Sequence, residues 1–286
     1  MMKEISIMKS ILSISSPGVH LVPGDDASAR QLARQCNDFA ADLCRHHPKE
    51  FGFWAALPLP DVAGTLDEIA YALDELHAAG VAMESNHHGI YLGDPAFDAV
   101  FNELNRRKAT VFIHPTSPCI RDSNTHACVS ATALPQFPNP MFEFMFDAAR
   151  AVINLFLSGT IARCPNITFV LPHAGGVIPP IIQRFCSFAS GILSLEVEMS
   201  LEIVKETFKR QFYFDLAGFP FQDQIWGLLR VVGPERLLYG SDFPFTPHRG
   251  VVKLADVMRC GLGEIFDDEE IRNGIYVANA RRLLAK

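Results

Sequence analysis

Residues 109–115 read ATVFIHP, a short uncharged run of β-branched and aromatic residues that ends on a histidine before a proline. A run of this length and composition predicts a buried strand. Residues 95–107 ahead of it carry helical apolar spacing, and VAMESN at 81–86 reads as another strand. The alternation continues toward the N-terminus. A helix is predicted from Thr65, with Glu68 at the capping-box position, Leu66, Ile69, Leu73 and Leu76 as its stripe, and Gly80 as its C′ residue. FGFWAALP at 51–58 is a strand. Residues 27–46 form a helix with Leu32, Cys36, Phe39, Ala40 and Leu43 on one face, and SILSISS at 10–16 is the first strand.

Toward the C-terminus, a loop rich in Pro, Ser, Thr and Asn fills 116–140. A helix over 141–163 and the strand ITFVLPH at 167–173 follow. Helix is expected over 179–188 and on to 209, then the strand QFYFDLAG at 211–218 and a helix at 222–232. RLLYGSDFP at 236–244 is the last strand, before helices at 249–260 and 268–284. Strands alternating with helices at this spacing imply parallel β-α-β units. No shift in composition marks a boundary, so residues 1–286 are expected to form one domain. The count is seven strands, whereas a closed (β/α)8 barrel needs eight. The expected fold is therefore an α/β TIM-type barrel lacking one β-α unit. The gap belongs at the beginning, because the chain opens almost directly on a strand.

Composition narrows the function classes. The 286 residues are 49% hydrophobic with a net charge of −7, which allows a large core. The absence of a basic run argues against a nucleic-acid surface. No apolar stretch approaches the roughly 18–20 residues of a membrane span. The N-terminal MMKEISIMKSILSISS is not expected to be a secretory leader, because its apolar part is short and interrupted and no A-x-A site follows. Seven scattered cysteines without a C-x-x-C pair read as reduced residues of a cytoplasmic protein.

Three predicted strands end on a residue suited to a metal: His114, His173 and Asp242. Imidazole and carboxylate are donors for a borderline divalent ion such as zinc, and manganese accepts the same set. Barrel chemistry gathers at the C-terminal strand ends, where residues distant in sequence converge. Each residue alone also has a structural reading, as a hydrogen-bonded strand end or a turn cap. Spacing leaves the two readings evenly matched.

The segments YLGDPAFDAVFNELNRRKATVFIHPT, TFVLPHAGG, RLLYGSDFPF and NARRLL resemble the aminocarboxymuconate-semialdehyde decarboxylase branch of the amidohydrolase superfamily. SSPGVHL and FGFWAALPLPDV extend the likeness almost to the N-terminus, and 6-methylsalicylate decarboxylase-like proteins are the nearest group within it. The resemblance implies one divalent metal, zinc or manganese, with His114 and Asp242 as ligands and His173 as the acid/base neighbour. It also implies a homodimer and a small aromatic carboxylic acid as substrate, with no nucleic-acid or membrane partner. The branch carries two more ligands in an H-x-H on its first strand. This sequence contains no H-x-H, so the missing unit is expected to be that first one.

Other candidates are weaker. His87 and His88 follow the strand at 81–86 and, being adjacent, point opposite ways on an extended backbone. They are expected on a solvent-facing rim, with His87 as a possible substrate contact. His20, His126 and His248 are expected in loops near the same end, and His46 and His47 at a helix C-terminus, where the dipole favours them. Arg184 follows His173 by eleven residues, as a substrate-carboxylate contact or a salt-bridge residue. The 116–140 loop, with Phe137, is a candidate lid. The phenylalanines of 141–156 read as core or interface.

The expected activity is non-oxidative decarboxylation of a hydroxyaryl acid to a phenol and CO2, with His173 or Asp242 delivering the proton. The alternatives are a metal-dependent hydrolase of the same superfamily and a catalytically silent barrel.

Overall fold

The computed structural model describes residues 1–122, 128–193 and 199–285. The chain divides into two compact units, Lys9–Phe169 and Val170–Lys286, with Met1–Met8 belonging to the second.

In the first unit, β1 (Ser10–Leu12) pairs in parallel with β2 (Phe51–Phe53). After Trp54 the same run continues as β3 (Ala55–Ala56), parallel to β4 (Val81–Glu84), which is parallel to β7 (Thr110–His114). Two short antiparallel hairpins stand at the strand ends: β5 (Asn86–His87) with β6 (Ile90–Tyr91), and β8 (Cys119–Arg121) with β9 (Cys128–Ser130). β4 is buried throughout and β7 for its first four residues, as expected of strands covered on both faces. The pairing register sets Glu84 beside His114.

The crossover helices are α1 (Asp26–His46), α2 (Val62–Ala70), α3 (Asp98–Arg106), α4 (Glu143–Leu157) and the short α5 (Thr160–Arg163). Asn37 ties α1 to the strands, donating to the Ala56 carbonyl and accepting from the Ala56 N–H. Two expectations change here. The α2 cap is Asp61, whose carboxylate accepts from the Gly64 N–H, whereas Thr65 is buried inside the helix. The 116–140 segment is partly the β8–β9 hairpin, in which Cys119 and Cys128 form a disulfide, so these two cysteines are not reduced. Cys119 stands opposite Ser130 and Cys128 opposite Arg121, so the two cysteines meet diagonally across the hairpin, a proximity that spacing did not reveal.

The second unit continues the alternation. β10 (Thr168–Leu171) enters it from the first unit, and β11 (Phe212–Asp215) pairs in parallel with β12 (Leu237–Leu238). Its helices include α6 (Ile178–Cys186), α7 (Leu201–Gln211), α8 (Gln224–Leu229) and α9 (His248–Ile265). Phe208, Phe212 and Phe214 interlock α7 with β11, with the first pair of rings 4.9 Å apart. The predicted strand at 236–244 is only two residues long. Asp242 takes a left-handed φ of 54°, and its carbonyl accepts from the Thr246 N–H, turning the chain out of the sheet. Each of the seven predicted strand segments contains observed strand. Among the described residues, no helix is long and apolar enough to cross a membrane.

Candidate active site

The strand ends of the first unit gather polar side chains around a cavity of about 370 Å³. Glu84 closes β4, is buried, and has an Oε2 without a hydrogen-bond partner. That oxygen lies 3.4 Å from Nδ1 of His114, which also accepts from the Ser16 N–H at 3.3 Å. Burial pushes the Glu84 carboxyl above the ordinary range, and His114 pulls it the other way. Gly18 (φ 77°) passes so close that a Cβ there would sit 3.2 Å from the Glu84 Cγ. A side chain at that position would be strained by the left-handed backbone and would press on Glu84.

Asp147, fully buried on α4, fixes the segment that follows. It accepts from Ser85 Oγ, from Asn86 Nδ2 at 2.8 Å and from the Tyr91 hydroxyl at 2.5 Å. Asn86 Oδ1 in turn accepts from the Gly89 N–H, which closes the β5–β6 turn. His87 and His88 are thereby held at the cavity wall together with His20. The solvent-facing expectation for His87 fails, because its ring is buried and Nε2 has no partner. The hairpin folds β5 inward, a consequence of the Asp147 anchor far away in sequence. Burial drives the His87 imidazole down to about 3, and His88 and His20 add to the shift. His20 Nδ1 meets His88 Nε2 at 3.0 Å, while its Nε2 meets Asp26 Oδ1 at 3.0 Å.

In the second unit, Pro172 leads from β10 into a turn in which His173 and Ala174 both have φ 54°. Asp215, at the end of β11, supports that turn. Its Oδ1 accepts from the His173 N–H at 3.1 Å and the Ala217 N–H at 3.0 Å. Gln224 Nε2 donates to the carbonyls of His173 and Gly176. Burial raises the Asp215 carboxyl, His173 and the two N–H bonds lower it, and Asp242 adds to the rise. Asp242 Oδ2 accepts from Thr246 Oγ1 at 3.0 Å.

The remaining candidates are dispersed. Arg184 is exposed on α6, stacked 4.7 Å over the Phe188 ring. His248 pairs with Glu4 at 2.7 Å, and His46 and His47 end α1 as expected. Phe137 is exposed, and His126 lies outside the described residues. Glu84 and Asp215 were not singled out from the sequence, although each closes a strand as His114 does.

The donor types suit a divalent cation, and the partnerless Glu84 oxygen beside His114 is the kind of atom such an ion satisfies. Among the described residues, no group of three or more His, Cys, Asp or Glu side chains is placed to enclose an ion.

A match to the amidohydrolase family covers residues 11–286, and the chain belongs to that family. It is 36% identical over 253 residues to the 6-methylsalicylic acid decarboxylase acuB of Aspergillus aculeatus, covering 87% of this chain and 74% of the relative. A solved amidohydrolase II structure superposes with a TM-score of 0.85 at 31% identity, covering 100% of this chain and 86% of the other. A dihydroxybenzoic acid decarboxylase from Polaromonas, solved with bound manganese, has a TM-score of 0.83 at 22% identity, covering 99% and 83%. These likenesses bear out the TIM-barrel fold class.

Proposed function

We propose that this protein is a non-oxidative decarboxylase of a hydroxyaryl carboxylic acid of the 6-methylsalicylate type, releasing a phenol and CO2. The observation that carries the proposal is the cavity at the strand ends, walled by Glu84, Asn86, His87, His88 and Thr116. At about 370 Å³ it falls within the range of small-molecule sites and has room for a substituted benzoate. Relatives named as decarboxylases of such acids support the same substrate class.

Loss of CO2 leaves an electron pair on the ring carbon, so that carbon must receive a proton as the C–C bond breaks. A positioned acid is therefore required. His173 and Asp242 are the proposed acid/base side chains. The left-handed turn and Asp215 hold His173 in place, and Thr246 holds Asp242. His87 is the proposed substrate contact, and Arg184, exposed on α6, is the weaker one. The motif resemblance assigns His114 and Asp242 to a divalent metal, zinc or manganese, which would supply positive charge for the phenolate and carboxylate. A cytoplasmic homodimer completes the proposal.

Incubation with 6-methylsalicylate, in the presence of manganese or zinc, is expected to yield 3-methylphenol. Untouched hydroxybenzoates would end the substrate assignment. One observation favours a second reading, a catalytically silent barrel: the lack of an enclosing donor cluster among the described residues. Stoichiometric metal by elemental analysis, together with turnover, would refute it.

A further inference from the structure

An aryl carboxylate is an anion, yet among the described residues the cavity wall has no lysine or arginine. Burying a carboxylate is costly unless charge or hydrogen bonds meet it, so a wall group able to become positive would add to the charge that a divalent metal supplies. Among the described residues, His20, His87 and His88 line the cavity. His87 drops out, because its fully buried ring titrates at about 3. The pair that remains is linked nitrogen to nitrogen at 3.0 Å, with its far end on Asp26.

The geometry points to a carboxylate-binding site in which the His20–His88 pair, backed by Asp26, takes up one proton as an aryl carboxylate enters the cavity. This rests on the proposed substrate class and adds to it how the anion is held.

The hydrogen bonds fix the proton inventory. Asp26 requires a proton on His20 Nε2, so His20 Nδ1 accepts from His88 Nε2–H when both rings are neutral. His88 Nδ1 is then the nitrogen left to take the additional proton, which comes from solvent. The pair passes from two N–H groups to three, and the ligand remains a carboxylate. Only one charge is gained, since each ring disfavours ionisation of the other. Asp26 is suited to the supporting role. Its carboxylate is 54% exposed and needs no desolvation, whereas the His20 side chain it contacts is 3% exposed.

The other titratable groups around the pair are Asp25 at the start of α1, Asp61 ahead of α2, Glu84 on β4 and His87 on β5. Asp25 and Asp61 both lie within electrostatic reach of His20 and favour the charged pair.

The test is calorimetric titration of the full chain with 2-methylbenzoate, which has the carboxylate but no phenol to promote ring protonation. Titrations at one pH in phosphate and in Tris separate proton uptake from intrinsic heat. The expected result is uptake of about one proton per ligand above neutral pH, with affinity falling about tenfold per pH unit there. The variant His88→Asn keeps a residue that tolerates the left-handed φ of 50° at this turn. It should abolish the uptake and weaken binding about tenfold or more, the scale of a lost charge-assisted hydrogen bond. Neutral 2-methylbenzamide should bind wild type and variant alike without proton uptake, showing that the variant cavity is intact. Buffer-independent heats in the wild type, or uptake that survives His88→Asn, would overturn the inference. If 6-methylsalicylate is decarboxylated while 2-methylbenzoate binds without uptake, this inference falls and the proposed function stands. If wild type neither binds the acid nor turns over 6-methylsalicylate, both fall.

Discussion

Glu84 and Asp215 are the same device treated in two ways. Each is an acid closing a parallel strand, and burial raises each above the ordinary carboxylate range. Asp215 has backbone N–H groups from His173 and Ala217 on one oxygen, so its placement is explained by the turn it holds. Glu84 Oε2 accepts no such hydrogen bond and has only the His114 ring at 3.4 Å. A buried polar atom left unmatched is costly, and a native fold retains few without a reason. The difference separates a carboxylate that builds the fold from one kept available for something that enters the cavity.

The comparison breaks first at Asp215. Replacement by Ala leaves two backbone donors unmatched and should cost about 3 kcal/mol, read from urea denaturation. Asp215→Asn keeps an oxygen and should lose much less. Equal losses would deny that the N–H groups are what Asp215 satisfies.

His87 is the second case, since its Nε2 is also partnerless. Its folded value of about 3 lies below the unfolded value of 6.5, so the unfolded chain binds the proton first. Stability is complete above the unfolded value and falls as pH drops through 6.5 toward 3. The loss should reach about 2 kcal/mol at pH 5. His87→Phe should remove that part of the slope; an unchanged slope would place the titrating group elsewhere.

Glu84→Gln should move stability by about 1 kcal/mol or less, because no existing hydrogen bond to Oε2 is lost. Turnover should nevertheless fall about tenfold or more. A large stability loss with normal turnover would make Glu84 a structural twin of Asp215. The smallest effect is expected in α2, where Thr65 has a buried hydroxyl without a partner. Thr65→Val should be neutral or stabilising by up to about 1 kcal/mol, whereas Asp61→Ala should cost about 1 kcal/mol as a lost cap. Thermal midpoints would decide between them.

Much of this was legible in the sequence because burial leaves a periodic trace. The strand segments at 81–86, 109–115, 167–173 and 211–218 each contain the observed strand, and His114 closes β7 as read. The predicted strands extend to Asn86 and Gly218, whereas the observed ones end at Glu84 and Asp215, so only the structure shows these two acids as strand ends. The His20–His88 contact had no such trace. Its partners are 68 residues apart and meet because Asp147, on another helix, anchors the hairpin that turns His88 inward. Register and periodicity report which face a residue occupies, and they are silent on contacts made by turns. The end of the last strand failed because residues 239–244 (YGSDFP) are rich in turn formers, and Asp242 adopts the left-handed conformation that ends the strand.

The most direct measurement follows the carboxyl carbon. Incubated with 6-methylsalicylate carrying carbon-13 in its carboxyl group, the protein should release labelled CO2 and 3-methylphenol in equal amounts. Label that remains in the acid, or that appears in a non-volatile product, would contradict the assignment of this amidohydrolase-family chain as a decarboxylase.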